Sequence, residues 1–296
     1  MSAEILNGRE FADEVRSEVA TTVQEMKIKH SVTPGLAVVL IGDDPASSVY
    51  VRSKEKAAIE AGITFNGIIL PADTPQTDLL GIIRDLNLDP RYHGILVQLP
   101  LPSQIDEDTV IENINAEKDV DGLHPYNMGL LIAGRPRFPP ATPAGIQQIL
   151  VRSGNRPEGK HVVVCGRSNI VGKPIANMLM QRNADANATV TLCHTRTKDL
   201  PSITRQADIL IAAVGQPLMI TADMVKPGVV VIDVGVNRVE DSTRKGGYRL
   251  VGDVDFKAIA EKAKAITPVP GGVGPMTIAM LLSNTVDAAR RVIHQH

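Results

Sequence analysis

The length, composition and charge of the chain exclude several classes of protein. Its 296 residues suffice for about two domains, and a net charge of −2 with a pI near 6.4 provides no basic surface for nucleic acid. Hydrophobic residues at 43% and charged residues at 22% are typical of a soluble globular enzyme. No apolar run approaches the ~18 residues that cross a bilayer, and the first residues lack the apolar segment of a signal peptide.

Predicted helices and strands alternate in the first half of the chain. Apolar residues at helical spacing predict helices over 8–29, 47–61 and 76–88. Apolar and β-branched runs predict strands over 35–41, 63–70 and 94–99. Such alternation is typical of right-handed crossovers between parallel strands, so we expect an N-terminal α/β domain with a parallel-type sheet. This half has no glycine-rich phosphate turn and is therefore not expected to bind a dinucleotide.

A second series of strands and helices follows the proline-rich segment 136–140, which indicates a hinge between domains. Thr142 and Pro143 predict the cap and first residue of a helix that runs to about residue 151. Predicted strands lie at 162–165, 189–193, 209–214, 229–234 and 249–254. After a loop at 266–277, a last helix runs to about residue 293, and we expect it to pack back on the first domain. The predicted domains are 1–140, completed by about 275–296, and 141–274.

The segment KHVVVCGRSNIVGKP predicts a phosphate-binding turn between a strand and a helix. Its apolar run ends at Gly166, Gly172 follows six residues later, and Pro174 begins a helical pattern. A buried strand that runs through a glycine turn into a helix presents backbone N–H groups to a phosphate. The spacing departs from GxGxxG, because Ser168 stands where the second glycine would be. The alternative is an ordinary joint whose glycine only permits the turn.

The next predicted strand indicates which dinucleotide would bind. In NAD-binding sheets an acidic residue near the end of this strand accepts hydrogen bonds from the ribose. Here Thr195 and Arg196 follow the strand, and no acid occurs before Asp199. Hydroxyls and a guanidinium hold a 2′-phosphate that a carboxylate would repel, and Arg167 can reach the same corner. The pattern favours NADP over NAD; the alternative is a solvated polar turn that binds nothing.

The two cysteines, Cys165 and Cys193, end predicted buried strands. Free cysteine is among the most buried residue types, so we interpret both as small core residues. Without a CxxC spacing, the pair indicates neither a metal site nor a disulfide framework. A reduced, cytoplasmic setting fits this usage best.

Tyr50 and Lys54 are spaced i, i+4 and therefore project from one face of a predicted helix. That face continues through Ala57, Ala58 and Ala61, which are small and apolar. A lysine on such a face would be partly desolvated, which lowers its pKa and makes a neutral amine available as a base. The alternative is a surface lysine whose stem lies along the helix.

Three loops carry further candidates. Gln98 lies in VQLPLP near the carboxyl end of a predicted parallel strand, where open α/β sheets bind ligands, and one X–Pro bond there is a candidate for cis. Asp121 precedes Gly122 and could accept paired hydrogen bonds from an amino-pyrimidinone ring, or could be a turn aspartate. The prolines and glycines of 268–277 form a stiff wall that a flat ligand can approach, or else a simple chain reversal.

Taken together, these segments are similar to one family. The chain contains, in order, GDDPASSVYVRSKEKAAIEAGI, GILVQLPLP, KDVDGLHPYN, ATPAGI, VVVCGRSNIVGKP, IDVGVN and TPVPGGVGPMTIAMLL. On these motifs, of which QLPLP and PGGVGPMT are highly specific, the chain resembles the bifunctional methylenetetrahydrofolate dehydrogenase/cyclohydrolases. The resemblance implies a folate-binding catalytic domain followed by a Rossmann-like NADP-binding domain.

The resemblance also implies an activity. One site oxidises 5,10-methylenetetrahydrofolate to 5,10-methenyltetrahydrofolate with NADP and then hydrolyses the product to 10-formyltetrahydrofolate. This places the chain in one-carbon metabolism that feeds purine biosynthesis. The family forms homodimers through the dinucleotide domain, and a cytoplasmic location without a nucleic acid, membrane or metal partner is expected.

Site residues follow from the resemblance. The implied catalytic set is Lys54 as the catalytic lysine, Gln98 assisting it, Tyr50 stacking against the folate and Asp121 holding the pterin. The implied folate contacts are Tyr50, Lys54, Val97, Gln98, Leu99, Asp121, Pro270, Gly271, Gly272 and Val273. The implied cofactor contacts are Gly166, Arg167, Ser168, Thr195 for the 2′-phosphate, Arg196, and Val236 near the nicotinamide.

Two other hypotheses explain part of the pattern. An NADP-dependent dehydrogenase of another small metabolite, such as a shikimate-type substrate, would explain the dinucleotide half but not QLPLP together with PGGVGPMT. A non-catalytic nucleotide-binding protein would not need Tyr50, Lys54, Gln98 and Asp121 together.

Overall fold

The chain folds into two compact units, each with its own parallel sheet. The computed structural model describes residues 2–244 and 246–293. We call the described residues of 1–12 and 142–277 the six-stranded unit, and those of 13–141 and 278–296 the three-stranded unit. The chain therefore passes between the units after residues 12, 141 and 277.

The strands and helices of the described residues are numbered in chain order. The strands are β1 (Glu4–Ile5), β2 (Gly35–Ile41), β3 (Thr64–Leu70), β4 (Gly94–Val97), β5 (His161–Cys165), β6 (Thr189–Cys193), β7 (Ile209–Ala212), β8 (Val230–Asp233), β9 (Asn237–Glu240), β10 (Tyr248–Val251) and β11 (Ala265–Ile266). The α-helices are α1 (Gly8–His30), α2 (Pro45–Glu60), α3 (Gln76–Leu88), α4 (Glu107–Asn113), α5 (Pro125–Ile132), α6 (Ala141–Arg152), α7 (Gly172–Leu179), α8 (Leu200–Thr204), α9 (Phe256–Ala260) and α10 (Val273–Ile293). A short 3₁₀ turn spans Ala222–Met224.

In the three-stranded unit, β2 is the central strand and both neighbours pair with it in parallel, in the order β3-β2-β4. All seven residues of β2 are buried, as its unbroken apolar sequence predicts for a central parallel strand. The edge strand β3 instead alternates in burial, and Ile69 is exposed. The parallel strands confirm the predicted α/β class for this part of the chain.

The C-terminal helix packs on this same unit, as predicted. From Ile278 onward α10 belongs to the three-stranded unit. The buried amide of Asn284 donates to the carbonyl oxygens of Val120 at 2.8 Å and Pro139 at 2.9 Å. These bonds fix the helix to the loops on either side of α5.

The six-stranded unit contains a parallel sheet in the order β1-β11-β8-β7-β5-β6. The strand order reverses direction between β5 and β7, which is the arrangement of a doubly wound, Rossmann-like sheet. Residues of β7 and β8 are all buried, and Val163, Leu210 and Val231 belong to one hydrophobic core. The predicted Rossmann-like unit is confirmed.

The sequence prediction was wrong or incomplete in several places. The predicted cap Thr142 lies inside α6, which begins at Ala141, and the short helices α4, α5, α8 and α9 were not predicted. The strand predicted at 249–254 is not part of the parallel sheet, because β10 pairs antiparallel with β9 in a separate two-stranded sheet. The loop predicted to reach residue 277 ends earlier, since α10 begins at Val273. The two-residue strands β1 and β11 were not predicted, because so short a pair shows no periodicity.

None of the helices in the described residues combines the length and the apolar character that a bilayer span requires.

Candidate active site

A buried lysine is the central feature of the three-stranded unit. Lys54 is 6% exposed on α2, and its Nζ donates to Gln98 Oε1 at 2.7 Å. Helix α2 begins at Pro45, two residues before the predicted start at 47, because Asp44 accepts a hydrogen bond from the Ser47 N–H at 2.7 Å and Pro45 occupies the first turn. The structure therefore places Lys54 on the buried face of the helix, and the surface-lysine alternative is wrong.

Gln98 is fixed in one orientation by the loop that follows β4. Its backbone N–H donates to Val39 O at 2.8 Å, which extends the sheet by one bond. Its side-chain Nε2 donates to Leu99 O at 2.7 Å, so the amide oxygen is the atom that faces Lys54. The Leu99–Pro100 bond is cis, which confirms the candidate for a cis bond in the QLPLP segment. Gln98 thus presents an acceptor to the amine from a fixed backbone.

Asp121 faces the same amine and has acceptor capacity to spare. Its half-buried carboxylate accepts no hydrogen bond from any described residue, whereas its backbone oxygen accepts from Ala141 N at 3.3 Å. The next residue, Gly122, has φ +74, and a Cβ there would lie 2.8 Å from the Phe138 oxygen and the Pro140 nitrogen. Only glycine therefore allows the chain to turn directly after Asp121.

Asp119 supports this loop and was not predicted from the sequence. It is 2% exposed and accepts hydrogen bonds from the N–H groups of Leu123 at 3.2 Å and His124 at 2.9 Å. It also accepts from Asn127 Nδ2 at 2.8 Å. The Asp-x-Asp-Gly spacing was the available signal, since an aspartate before a turn commonly accepts N–H groups a few residues on.

Burial shifts the pKa values of Lys54, Asp121 and Tyr50. Burial lowers the pKa of Lys54, and the charge of Asp121 partly offsets that effect. Burial raises the pKa of Asp121 to about 6; Lys54 opposes the shift and Asp119 adds to it. Burial also raises the pKa of Tyr50, which therefore remains a neutral phenol. The arrangement can hold and move a proton between the amine and a bound molecule.

The remaining predicted folate contacts of this unit lie around Gln98 and on α2. Val97 is the last residue of β4 and is buried in the core, and Leu99 is half-buried. Tyr50 lies one helical turn before Lys54 and is half-buried. The structure thus brings Lys54, Gln98 and Asp121 together, with Tyr50 one turn away on the helix.

In the six-stranded unit, a glycine turn joins β5 to α7. Gly166 has φ +125, and a Cβ on Gly172 would overlap the Gly166 backbone. Ser168 Oγ accepts from the N–H groups of Val171 at 3.2 Å and Gly172 at 3.4 Å. Arg167 and Ser168 are both exposed. The turn therefore offers backbone, a hydroxyl and a guanidinium at a helix start, which suits a phosphate.

A second exposed turn follows the adjacent strand. Because β5 and β6 pair in parallel, with Cys165 opposite Cys193, the segments that follow them lie at the same edge of the sheet. Thr195 and Arg196 are exposed in the second turn, where His194 Nδ1 accepts from Arg196 N at 3.1 Å. Hydroxyl and guanidinium groups without a carboxylate fit a phosphorylated ribose, so the residues present suit NADP.

The other predicted contacts of this unit lie in two loops. Val236 follows β8 and is 49% exposed. In the 268–273 segment the Val269–Pro270 bond is cis, Gly271 has φ +110, and a Cβ on Gly272 would lie 2.6 Å from Pro268 O. Val273 is buried as the first residue of α10. The backbone of this segment is closely packed and poor in side chains, as its composition predicts.

The two cysteines are buried, and both are free thiols. They belong to the core of the six-stranded unit, which agrees with their interpretation as small core residues. A hydrogen bond to Cys193, together with burial, raises the pKa of Cys165. Residues 2–244 and 246–293 contain no cluster of three or more histidine, cysteine or acidic side chains that could hold a metal ion.

An open parallel sheet with a glycine turn, together with a unit that buries a lysine against a glutamine, defines a two-domain α/β enzyme that uses a nucleotide cofactor. Two family models match nearly the whole chain: the catalytic domain of tetrahydrofolate dehydrogenase/cyclohydrolase over residues 6–121, and its NAD(P)-binding domain over residues 140–293. The chain belongs to the tetrahydrofolate dehydrogenase/cyclohydrolase family.

Individual relatives cover the full chain. It is 58% identical to the bifunctional protein FolD of Moorella thermoacetica over 291 residues, 98% of this chain and 100% of the relative. The crystal structure of the bifunctional FolD of Campylobacter jejuni superposes with a TM-score of 0.91 at 46% identity, covering 98% of this chain and 100% of the other. The Trypanosoma brucei FolD, complexed with NADP cofactor and inhibitor, gives 0.94 at 39% identity over 99% of each chain.

Proposed function

We propose that this protein oxidises 5,10-methylenetetrahydrofolate to 5,10-methenyltetrahydrofolate with NADP and then hydrolyses that product to 10-formyltetrahydrofolate. The observation that carries the proposal is the buried amine of Lys54, hydrogen-bonded to Gln98 Oε1 at 2.7 Å and facing Asp121. A buried, hydrogen-bonded lysine with a lowered pKa is typical of a functional site and not of a purely structural domain. Membership of the family supplies the substrate.

The chain's two parts divide the work. The predicted folate-binding catalytic domain is 1–140 with about 275–296, and the predicted NADP-binding domain is 141–274; of the first range, β1 lies in the sheet of the NADP-binding unit. NADP, when bound, accepts the hydride from the one-carbon bridge. The exposed Arg167 and Ser168 bind a phosphate of the cofactor, and the exposed Thr195 and Arg196 bind its 2′-phosphate. Gly166 lets the backbone approach that phosphate.

The hydrolysis is general acid–base chemistry at Lys54. The neutral amine takes a proton from water as its oxygen adds to the methenyl carbon, and the resulting ammonium returns a proton to N5 as the bond from that nitrogen to carbon breaks. The products are 10-formyltetrahydrofolate and one released proton. Gln98 Oε1 holds the amine in place through both transfers. Asp121 accepts hydrogen bonds from the pterin, and Tyr50 stacks on the ring system.

One assay tests the proposal and separates it from its competitors. The protein is mixed with NADP and methylenetetrahydrofolate while the absorbance of NADPH and of the methenyl species is followed, and preformed methenyltetrahydrofolate is then supplied without NADP. Formation of NADPH in the first mixture and loss of the methenyl absorbance in the second support the proposal. NADP binding without either change would support a non-catalytic protein instead, and turnover only of another alcohol would support a different dehydrogenase.

The assembly and location form part of the same proposal. The protein acts in the cytoplasm as a homodimer formed through the dinucleotide domain, without a nucleic acid or membrane partner. The nearly neutral net charge of −2 supports the absence of a nucleic acid partner. Light scattering after size-exclusion chromatography tests the dimer, because a mass of one chain would contradict it. The roles of Pro270, Gly271, Gly272, Val273, Val97 and Leu99 toward folate remain predictions.

A further inference from the structure

Two buried carboxylates of the six-stranded unit have no part in the proposed chemistry. Asp233 is 3% exposed and Asp253 is not exposed at all. Neither forms an ion pair with a cationic side chain among the described residues. Burial of a carboxylate without a cation is costly unless hydrogen bonds replace its water. The hydrogen bonds that compensate the burial of these two carboxylates therefore indicate what the carboxylates do.

Asp233 binds three backbone N–H groups. Its Oδ1 accepts from Gly235 at 3.0 Å and from Asp253 at 2.9 Å, and its Oδ2 accepts from Val254 at 3.1 Å. Burial raises the pKa of Asp233 to about 7, although the N–H donors oppose the shift. The side chain thereby ties the turn after β8 to the loop after β10.

Asp253 ties two further segments together. Its Oδ2 accepts from the N–H groups of Val214 at 2.7 Å and Gly215 at 2.9 Å, in the loop after β7. Its Oδ1 accepts from Asn237 Nδ2 at 2.9 Å, at the far end of the turn after β8. The two carboxylates together therefore hold the loop 213–215 and the turn 234–237 in one fixed arrangement.

The packing around the two carboxylates leaves no room for a side chain at Gly235 or Gly252. A Cβ on Gly235 would overlap the carboxylate of Asp253, and a Cβ on Gly252 would overlap the carboxylate of Asp233. Both glycines have ordinary negative or extended φ values, so their requirement is for space and not for backbone conformation. The two carboxylates and the two glycines form one close-packed cluster.

The position of this cluster, at the carboxyl ends of the parallel strands, indicates its function. In an open parallel sheet, ligands bind outside the carboxyl ends of the strands at the point where the strand order reverses. The glycine turn follows β5, and the loop 213–215 and the turn 234–237 follow β7 and β8, the next strands in the order β8-β7-β5-β6. The turns after β5 and β6 take the phosphates and the adenosine ribose, so the loops after β7 and β8 face the other half of a dinucleotide.

We propose that Asp233 and Asp253 are positioning residues that hold the loop 213–215 and the turn 234–237, including the exposed Val236, against the nicotinamide half of the cofactor. The proposal rests on the proposed function. It deepens that function by separating the hydride-transfer step from the hydrolysis, which depends on Lys54 and Gln98 of the other unit.

The test first breaks the hydrogen bond between residues 237 and 253 and then restores it with donor and acceptor exchanged. In Asp253→Asn the new amide oxygen can still accept from Val214 and Gly215, but its NH₂ faces the NH₂ of Asn237, so the contact is lost. In the double variant Asp253→Asn/Asn237→Asp, the amide at position 253 donates to the carboxylate at position 237 and the bond is restored. If Asp253→Asn does not fold, Asn237→Ala takes its place, because it removes only this hydrogen bond. Its control is Asn183→Ala, which changes an exposed asparagine of the same six-stranded unit.

Three quantities are measured on each variant: dehydrogenase kcat, cyclohydrolase kcat, and NADP affinity by titration calorimetry. Asp253→Asn is expected to lower dehydrogenase kcat at least tenfold and NADP affinity at least threefold, with cyclohydrolase kcat within twofold of the parent. The double variant is expected to recover most of both losses.

Equal loss of both activities, or a dehydrogenase and an NADP affinity that stay at parental values, would overturn the proposal, as would a double variant that recovers neither. An inactive parent protein would instead contradict the proposed function, and the calorimetric comparison would still decide whether the carboxylates organise the NADP site.

Discussion

Two buried polar clusters among the described residues differ in how completely their hydrogen bonds are satisfied. Lys54 Nζ donates to one oxygen, and the Asp121 carboxylate accepts nothing from the described residues. In the six-stranded unit, Asp233 and Asp253 each accept three hydrogen bonds. Both clusters are buried, but only the first retains donors and acceptors for another molecule. The unused capacity of Lys54 and Asp121, which face each other, indicates chemistry, and the saturated carboxylates of Asp233 and Asp253 hold the backbone in place.

The same contrast occurs within one loop. Asp119 and Asp121 are two residues apart, yet Asp119 accepts three hydrogen bonds and Asp121 accepts none from the described residues. Within this loop, substitution of Asp119 should therefore change stability, and substitution of Asp121 should change turnover. Variants of Lys54, Asp121 and Asp119 test this distinction, and a variant of Arg167 tests the glycine turn of the other unit.

The largest effect is expected from Lys54→Met, which removes the proton-transfer group and keeps an apolar side chain of similar length. Cyclohydrolase kcat should fall by about 10³-fold, within the range for loss of a general acid–base group, while the protein remains folded. Hydrolysis of methenyltetrahydrofolate, followed by its absorbance, measures this. Lys56→Met on the same helix is the control, because the Lys56 side chain is 76% exposed and should tolerate the change. A Lys54 variant that hydrolyses at the parental rate would remove Lys54 from the chemistry.

Asp121→Asn should weaken folate use by roughly 10- to 100-fold in kcat/KM, because one charge-assisted acceptor is lost. The pH profile gives an independent check. The carboxylate, with its pKa raised to about 6, gains a proton as the pH falls through that value and then no longer accepts two hydrogen bonds. The parental kcat/KM for folate should therefore decline below about pH 6, and the variant should lack this decline. Exposed Asp108→Asn is the control.

Asp119→Asn should act on stability, because an amide in either orientation points NH₂ at one of the N–H donors of Leu123, His124 or Asn127. We expect a loss of about 2 kcal/mol in the free energy of unfolding, measured by urea denaturation. Activity well below the unfolding transition should change less than threefold. Removal of the Asp119 charge should also shift the acid decline of kcat/KM to lower pH, since that charge raises the pKa of Asp121. An unchanged midpoint of urea unfolding would contradict the stabilising role assigned to Asp119.

The smallest effect is expected from Arg167→Ala in the glycine turn. The KM for NADP should rise by about tenfold, as for loss of one solvent-exposed charge-assisted contact, and the KM for folate should stay within twofold. Steady-state dehydrogenase kinetics measure both constants. Arg244→Ala, an exposed arginine in the turn between β9 and β10, should change neither. Equal rises in both KM values would remove Arg167 from the phosphate site.

Elements with strong local patterns were predicted well from the sequence. Strand β2 and helix α3 have the predicted bounds, because one is an unbroken apolar run and the other has clear helical spacing between flanking turns. The buried face of α2 was read from Tyr50, Lys54 and the alanines that follow. Local patterns report these features because they depend on residues within one element.

Features that depend on distant residues were not predicted. The strand β1 exists only because β11, more than 250 residues later, pairs with it. The hairpin partner of β10 was hidden for a similar reason, since no pattern in Tyr248–Val251 distinguishes an antiparallel partner from a parallel one. The roles of Asp119, Asp233 and Asp253 also depend on which backbone N–H groups the fold brings to them.

The three passages of the chain between its units have a consequence for dividing the gene. A break at residue 141 would separate β1, encoded at the start, from the sheet that it completes, and would leave residues 278–293 on the other polypeptide from the loops that Asn284 holds. Each fragment would expose an incomplete core and would have to find its counterpart in trans. Split versions of this protein should therefore accumulate only when both fragments are synthesised in the same cell.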